Sequence, residues 1–132
     1  MPALLTQASC APGLIGSDRD TGLSLCYVAG DVTSDGAIIW LRADSGSEVV
    51  LHYSNDRTFS RFSSAGPFRV DKDADHTVKI ELQKLNSGTT YFYYAAVTGK
   101  KPGYLASFVT APAPSDAAKV SFCFSGDTRE SY

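Results

Sequence analysis

The sequence predicts an all-β protein, an antiparallel β-sandwich of about seven short strands. Three observations carry this. Apolar residues alternate with polar ones, or gather in short β-branched and aromatic bursts. Turn residues interrupt these bursts at intervals of roughly 8–12 residues. No segment places apolar residues at the i, i+3, i+4, i+7 spacing of an amphipathic helix.

The elements follow in chain order. Residues 23–29 open the set. Ala37-Ile-Ile-Trp-Leu-Arg42 and Tyr91-Phe-Tyr-Tyr-Ala-Ala-Val97 are dense and aromatic or β-branched, which reads as central strands. His76-Thr-Val-Lys-Ile-Glu-Leu82 puts Val78, Ile80 and Leu82 on one face and Thr77, Lys79 and Glu81 on the other, a half-buried strand. Residues 48–53, 67–70 and 104–110 complete the set. Between them lie Ser34-Asp35-Gly36, Ser45-Gly46-Ser47, Asn55-Asp56, the stretch 71–75, Asn86-Ser87-Gly88 and the stretch 99–103, all rich in turn formers. The acidic stretch Asp71-Lys-Asp73-Ala-Asp75 is expected to be a solvated hairpin loop, because like charges prefer water.

The 132 residues suit one domain. With 43% hydrophobic and 20% charged residues, the chain has enough apolar surface to fold and is not a disordered segment. Twelve basic and fourteen acidic residues give a net charge of −2, and the signs are interspersed. Without a basic stripe, nucleic acid is not an expected partner. No apolar run approaches the ~20 residues that span a bilayer, so no membrane span is expected. The three cysteines are Cys10, Cys26 and Cys123. Cys10 with Cys26 would close a small loop in an oxidising compartment. The favoured reading makes Cys26 and Cys123 small buried hydrophobes.

Four segments are expected: a flexible lead-in over 1–21, the sandwich over 22–112, a Pro/Ala/Ser linker over 113–118, and a new strand within 119–132. In the last, Val120, Phe122 and Phe124 alternate with Ser121, Cys123 and Ser125 before Gly126-Asp127. A strand ending this way is how many metal and phosphate sites in α/β folds begin. Without its sheet, the segment 119–125 must dock on the sandwich edge, stay disordered or pair with another chain; homo-oligomerisation through it is the expected outcome.

Leu85-Asn-Ser-Gly88-Thr-Thr-Tyr91 has the spacing of a tyrosine corner, with Leu85, Gly88 and Tyr91 as its structural residues. Trp40 is expected to fill the space between the sheets. These features resemble a fibronectin type III or immunoglobulin-like module.

Gly30-Asp31-Val32-Thr33 followed by Ile38-Ile39-Trp40-Leu41-Arg42 resembles the opening of the PhoD-like alkaline phosphatases. The corner, the Phe108-Val-Thr-Ala-Pro112 exit and the Phe124-Ser-Gly-Asp127 strand come in matching order, so the resemblance covers about residues 22–132. It implies a non-catalytic β-sandwich preceding a metallophosphatase domain, in which a pair of divalent or trivalent metals hydrolyses phosphate monoesters or diesters. Asp127 takes the place of a first metal ligand there. Arg129, whose fork matches phosphate oxygens, is expected to be either a phosphate contact or an exposed surface arginine. The resemblance further implies a catalytic-domain partner in cis and a secreted, periplasmic or cell-surface location. Purple acid phosphatases share this layout, but their first ligand motif reads Gly-Asp-x-Gly, whereas Gly126-Asp127-Thr128-Arg129 stands here. This chain, read as an amino-terminal piece, is expected to need no cofactor and to have no phosphatase activity alone.

Other motifs carry less. Asp31-Val-Thr33-Ser-Asp35-Gly36 matches the first half of a calcium loop, but Arg42 stands where the bidentate Glu belongs. His52 and His76 are expected to be structural or exposed. Ser63-Ser64-Ala-Gly66 lacks the flanking glycine of a nucleophile elbow. An alternative function is a free-standing protein-binding module whose contact patch draws on Tyr53, Phe59, Phe62, Tyr94 and Tyr104.

Overall fold

The computed structural model describes residues 21–23, 27–44 and 46–119. Cys10, Cys26, Cys123 and the segment from Val120 to Tyr132 lie outside the described residues, and so do the readings made on them.

Among the described residues seven strands form two antiparallel sheets: β1 (Val28–Gly30), β2 (Ala37–Arg42), β3 (Glu48–Ser54), β4 (Ser63–Arg69), β5 (Thr77–Leu82), β6 (Thr90–Val97) and β7 (Ala106–Val109). One sheet has the order β1-β2-β5 and the other β4-β3-β6-β7. Strand alternation builds the space between them. Ala37, Ile39 and Leu41 of β2 point inward, paired with Leu82, Ile80 and Val78 of β5. Val49 and Leu51 of β3, with Tyr91, Tyr93, Ala95 and Val97 of β6, face them from the other sheet. These residues form one contiguous core, closed by Phe108, Val70 and Tyr27.

The structure departs from the expectations in four places. Trp40 alternates with the fully buried Ile39 and Leu41, so it lies on the outer face, only partly buried, and does not fill the space between the sheets. Tyr27 and Tyr93 are the large aromatics that do. β4 begins at Ser63 rather than at residue 67. There the partner strand β3 shifts register between Val49 and Leu51, leaving Gly66 and Pro67 as a bulge, and no β-forming residue signals the strand before it. The acidic stretch is no hairpin loop: β4 and β5 belong to different sheets, and residues 71–75 cross between them through the 3₁₀ turn Lys72–Ala74. Asp71 caps that turn by accepting from the Asp73 N–H at 2.9 Å, and Asp75 pairs with Arg42 at 3.2 Å. Finally, Tyr53 and Tyr104 are partly buried and pack against the core, apart from the Phe59, Phe62 and Tyr94 rings.

Candidate functional site

The end of the sandwich from which the chain leaves carries a hydrogen-bonded set of loops. Three loops meet there: β1–β2, β3–β4 and β5–β6. In the β5–β6 loop the Tyr91 hydroxyl accepts from the Asn86 N–H at 3.0 Å, which closes the corner. Leu85 is buried beneath it. Gly88 has φ +57°, a left-handed conformation that favours glycine.

The β1–β2 loop is tied to this corner. Its own turn is closed by Thr33 N–H to Gly36 C=O at 2.9 Å, and the Leu85 N–H reaches the Asp35 carbonyl at 2.9 Å. Gly36 lies so close to β5 that a Cβ would sit 2.9 Å from the Leu82 carbonyl oxygen, so a larger residue would displace the loop.

Thr110 completes the assembly. It is 1% exposed. Its hydroxyl donates to the Asn86 carbonyl at 2.6 Å and accepts from the Thr89 N–H at 2.9 Å. Its N–H bonds the Thr89 carbonyl at 3.0 Å. The next residue extends the lock: the Ala111 N–H donates to the Thr33 carbonyl at 2.9 Å, and its carbonyl accepts from the Gly88 N–H at 3.0 Å. The exit is thus held by two loops at once. Sequence reasoning placed Thr110 only as the last residue of a strand, because its partners at positions 86 and 89 meet it only in the folded chain.

The β3–β4 loop presents aromatic rings. Asp56 organises it: its carboxylate accepts from the Thr58 N–H at 2.9 Å, from the Thr58 hydroxyl, and from the Ser60 hydroxyl and N–H. Those hydrogen bonds, the Ser60 hydroxyl foremost, lower its carboxyl to about 2. Phe59 has φ +53°, uncommon for a bulky residue. Phe59 and Phe62 pack with Tyr94 and His52 on the outer face of the four-stranded sheet, with neighbouring ring centroids 5.0 to 6.2 Å apart. His52 Nδ1 lies 2.8 Å from the Ser64 hydroxyl, and burial lowers its pKa.

Two clefts flank the β5–β6 loop. One, of about 450 Å³, is lined by Asp31, Asp35 and Glu81; the other, of about 280 Å³, by Arg61, Lys84 and neutral polar groups. Among the described residues no three His, Cys, Asp or Glu side chains gather as a metal group. Asp35 is instead used within its turn, accepting from the Thr33 hydroxyl at 3.0 Å. Asp127 and Arg129 lie outside the described residues. No helix among the described residues is long and apolar enough to cross a membrane.

Two sheets in this strand order, closed by a tyrosine corner, define a fibronectin-like β-sandwich module. A fibronectin type III domain from human KIAA0970 shares the fold: 15% identity, TM-score 0.56, covering 81% of this chain and 88% of that one. Residues 9–112 match the family described as PhoD-like phosphatase, N-terminal domain, and the chain belongs to that family. The structure of PhoD is similar, with 20% identity and TM-score 0.66 over 74% of this chain. This chain covers only 21% of PhoD, about a fifth of its length. The sensor domain of the anti-sigma factor RsgI4 in Pseudobacteroides cellulosolvens also matches: 19% identity, TM-score 0.57, 70% of this chain and 97% of that one. No curated protein sequence matches the chain.

Proposed function

We propose that this chain is the non-catalytic N-terminal sandwich of a PhoD-like alkaline phosphatase or phosphodiesterase. The family match over residues 9–112 carries this reading. The locked exit at Thr110 and Ala111 supports a mechanical role: a sandwich that holds and aims the segment that follows it. In the following domain a pair of metal ions would polarise phosphoryl oxygens and generate a hydroxide nucleophile. Asp127 would supply one of the carboxylates for that centre, and Arg129, whose fork matches phosphate oxygens, a substrate contact. An exported protein, secreted or periplasmic, fits this reading.

The test is to continue the coding frame beyond Tyr132 and assay hydrolysis of phosphate monoesters and diesters. Chelator-sensitive hydrolysis by the longer chain, and none by residues 1–132, supports the proposal. A frame with no His- and Asp-rich metallophosphatase segment overturns it.

A second reading rests on Phe59, Phe62, Tyr94 and His52. Phe62 is 54% exposed, so this sheet face offers an aromatic contact to another protein. A free-standing recognition module would then be the role. Loss of partner binding in Phe62→Ser, with an unchanged melting temperature, would favour it.

A further inference from the structure

The cleft between the β3–β4 and β5–β6 loops is built of donors. Arg61 and Lys84 line it together with Asn55, Ser63 and Gln83, and Phe62 forms part of its wall. None of the residues lining it is acidic, although the chain as a whole has a net charge of −2. Among the described residues the ion pair runs between Arg42 and Asp75, and neither Arg61 nor Lys84 has a carboxylate within ion-pair reach. Of the acids at this end, Asp31, Asp35 and Glu81 line the neighbouring cleft, and Asp56 in the β3–β4 loop is taken up by Thr58 and Ser60. Charge is therefore sorted across the β5–β6 loop, with Lys84 and Gln83 on the border of both clefts.

The backbones carrying the two cations are fixed. The Arg61 carbonyl accepts from the Ser54 hydroxyl at 2.6 Å, and that same hydroxyl accepts from the Asp56 N–H at 2.9 Å. Lys84 has φ +59°, a region a side-chain-bearing residue seldom adopts, and it leads directly into the anchored Leu85. Such an outlier persists when its surroundings determine it, and it tends to mark functional positions.

We propose that this cleft is a binding site for a phosphate-type oxyanion, either free phosphate or the phosphate of a monoester. At about 280 Å³ it falls just below the usual range of pockets for drug-sized ligands, roughly 300–1,000 Å³, and suits a small ion. A guanidinium fork, an ammonium and neutral donors from Asn55 and Ser63 offer more hydrogen bonds than the two oxygens of a carboxylate use, which favours phosphate. The site is open and both cations are exposed, so binding is weak and falls with salt. The proposal holds whether or not a phosphatase domain follows, since it uses only residues of the sandwich.

The test is a chemical-shift titration of the 132-residue chain at constant ionic strength with sodium phosphate, a phosphomonoester such as glycerol phosphate, acetate, and chloride. The expected result is a saturable shift of the Asn55, Ser63 and Lys84 amides with both phosphates, half-complete at about 1 mM. Whichever of the two binds more tightly names the source of the oxyanion. Arg61→Gln and Lys84→Gln should each weaken binding several-fold without moving the melting temperature, because both side chains are exposed. Equal saturation by acetate, linear shifts that chloride reproduces, or an unchanged affinity in both variants would overturn the assignment.

Discussion

Two tyrosine locks hold the two ends of the sandwich, and they work over very different distances. At the exit end the Tyr91 hydroxyl binds a backbone N–H five residues upstream. At the opposite end Tyr27 and Tyr104 stack with ring centroids 4.4 Å apart and planes 6° from parallel, joining segments 77 residues apart. Each hydroxyl there bonds the other residue's backbone: Tyr104 donates to the Tyr27 carbonyl at 3.0 Å and accepts from the Tyr27 N–H at 3.1 Å, and Tyr27 donates to the Tyr104 carbonyl. The exit lock shapes a loop and passes its order to Thr110 and the departing chain. The other ties the entry of β1 to the entry of β7 and seals the core.

Breaking the longer lock should cost most. Tyr27→Ala removes a buried aromatic, its ring stack and the hydrogen bond that its hydroxyl donates, and should destabilise the fold by about 3–5 kcal/mol in chemical denaturation. A loss below about 1 kcal/mol would mean that the stack is not part of the stable core. Thr110→Val keeps the shape but strips the hydroxyl from Asn86 and Thr89 at a buried site. It should cost about 1–3 kcal/mol. Tyr91→Phe orphans the Asn86 N–H at a partly buried position and should cost about 1–2 kcal/mol.

The Asp56 hydrogen-bond cluster of the β3–β4 loop gives an acid signature. Its folded pKa, about 2, lies below the unfolded value of about 3.9. Its contribution is therefore complete above about pH 4 and is lost as pH falls towards 2. Asp56→Asn should flatten that limb of a pH–stability profile.

The smallest effect is the sharpest control. The Tyr93 hydroxyl is buried without a hydrogen-bond partner among the described residues, so Tyr93→Phe should be neutral or slightly stabilising, unlike the same change at Tyr91.

The contrast also explains what could be read from the sequence. The corner is local: Leu85, Gly88 and Tyr91 lie within one short stretch, and strand alternation in Val78, Ile80 and Leu82 is local too. The sheets and the corner were therefore legible. The Tyr27–Tyr104 stack, the Thr110 lock and the sorting of Arg61 and Lys84 into one cleft depend on pairings made only by folding. Trp40 shows the limit on the other side. In a dense run such as Ile38-Ile39-Trp40-Leu41 every residue is apolar, so the pattern does not say which alternate set faces inward. The register with β5 decides it: Trp40 sits opposite Lys79, on the outer face.

The central structural claim is that the chain leaves the sandwich through a hydrogen-bonded lock rather than a loose linker. Amide hydrogen exchange at Thr110 and Ala111 tests it most directly, read against Asp116 and Ala118, whose bonds close only short turns of the linker. The account predicts protection at 110 and 111 close to that of the β6 amides, and its selective loss in Thr110→Val. Exchange at Ala111 as fast as at Ala118 would contradict it.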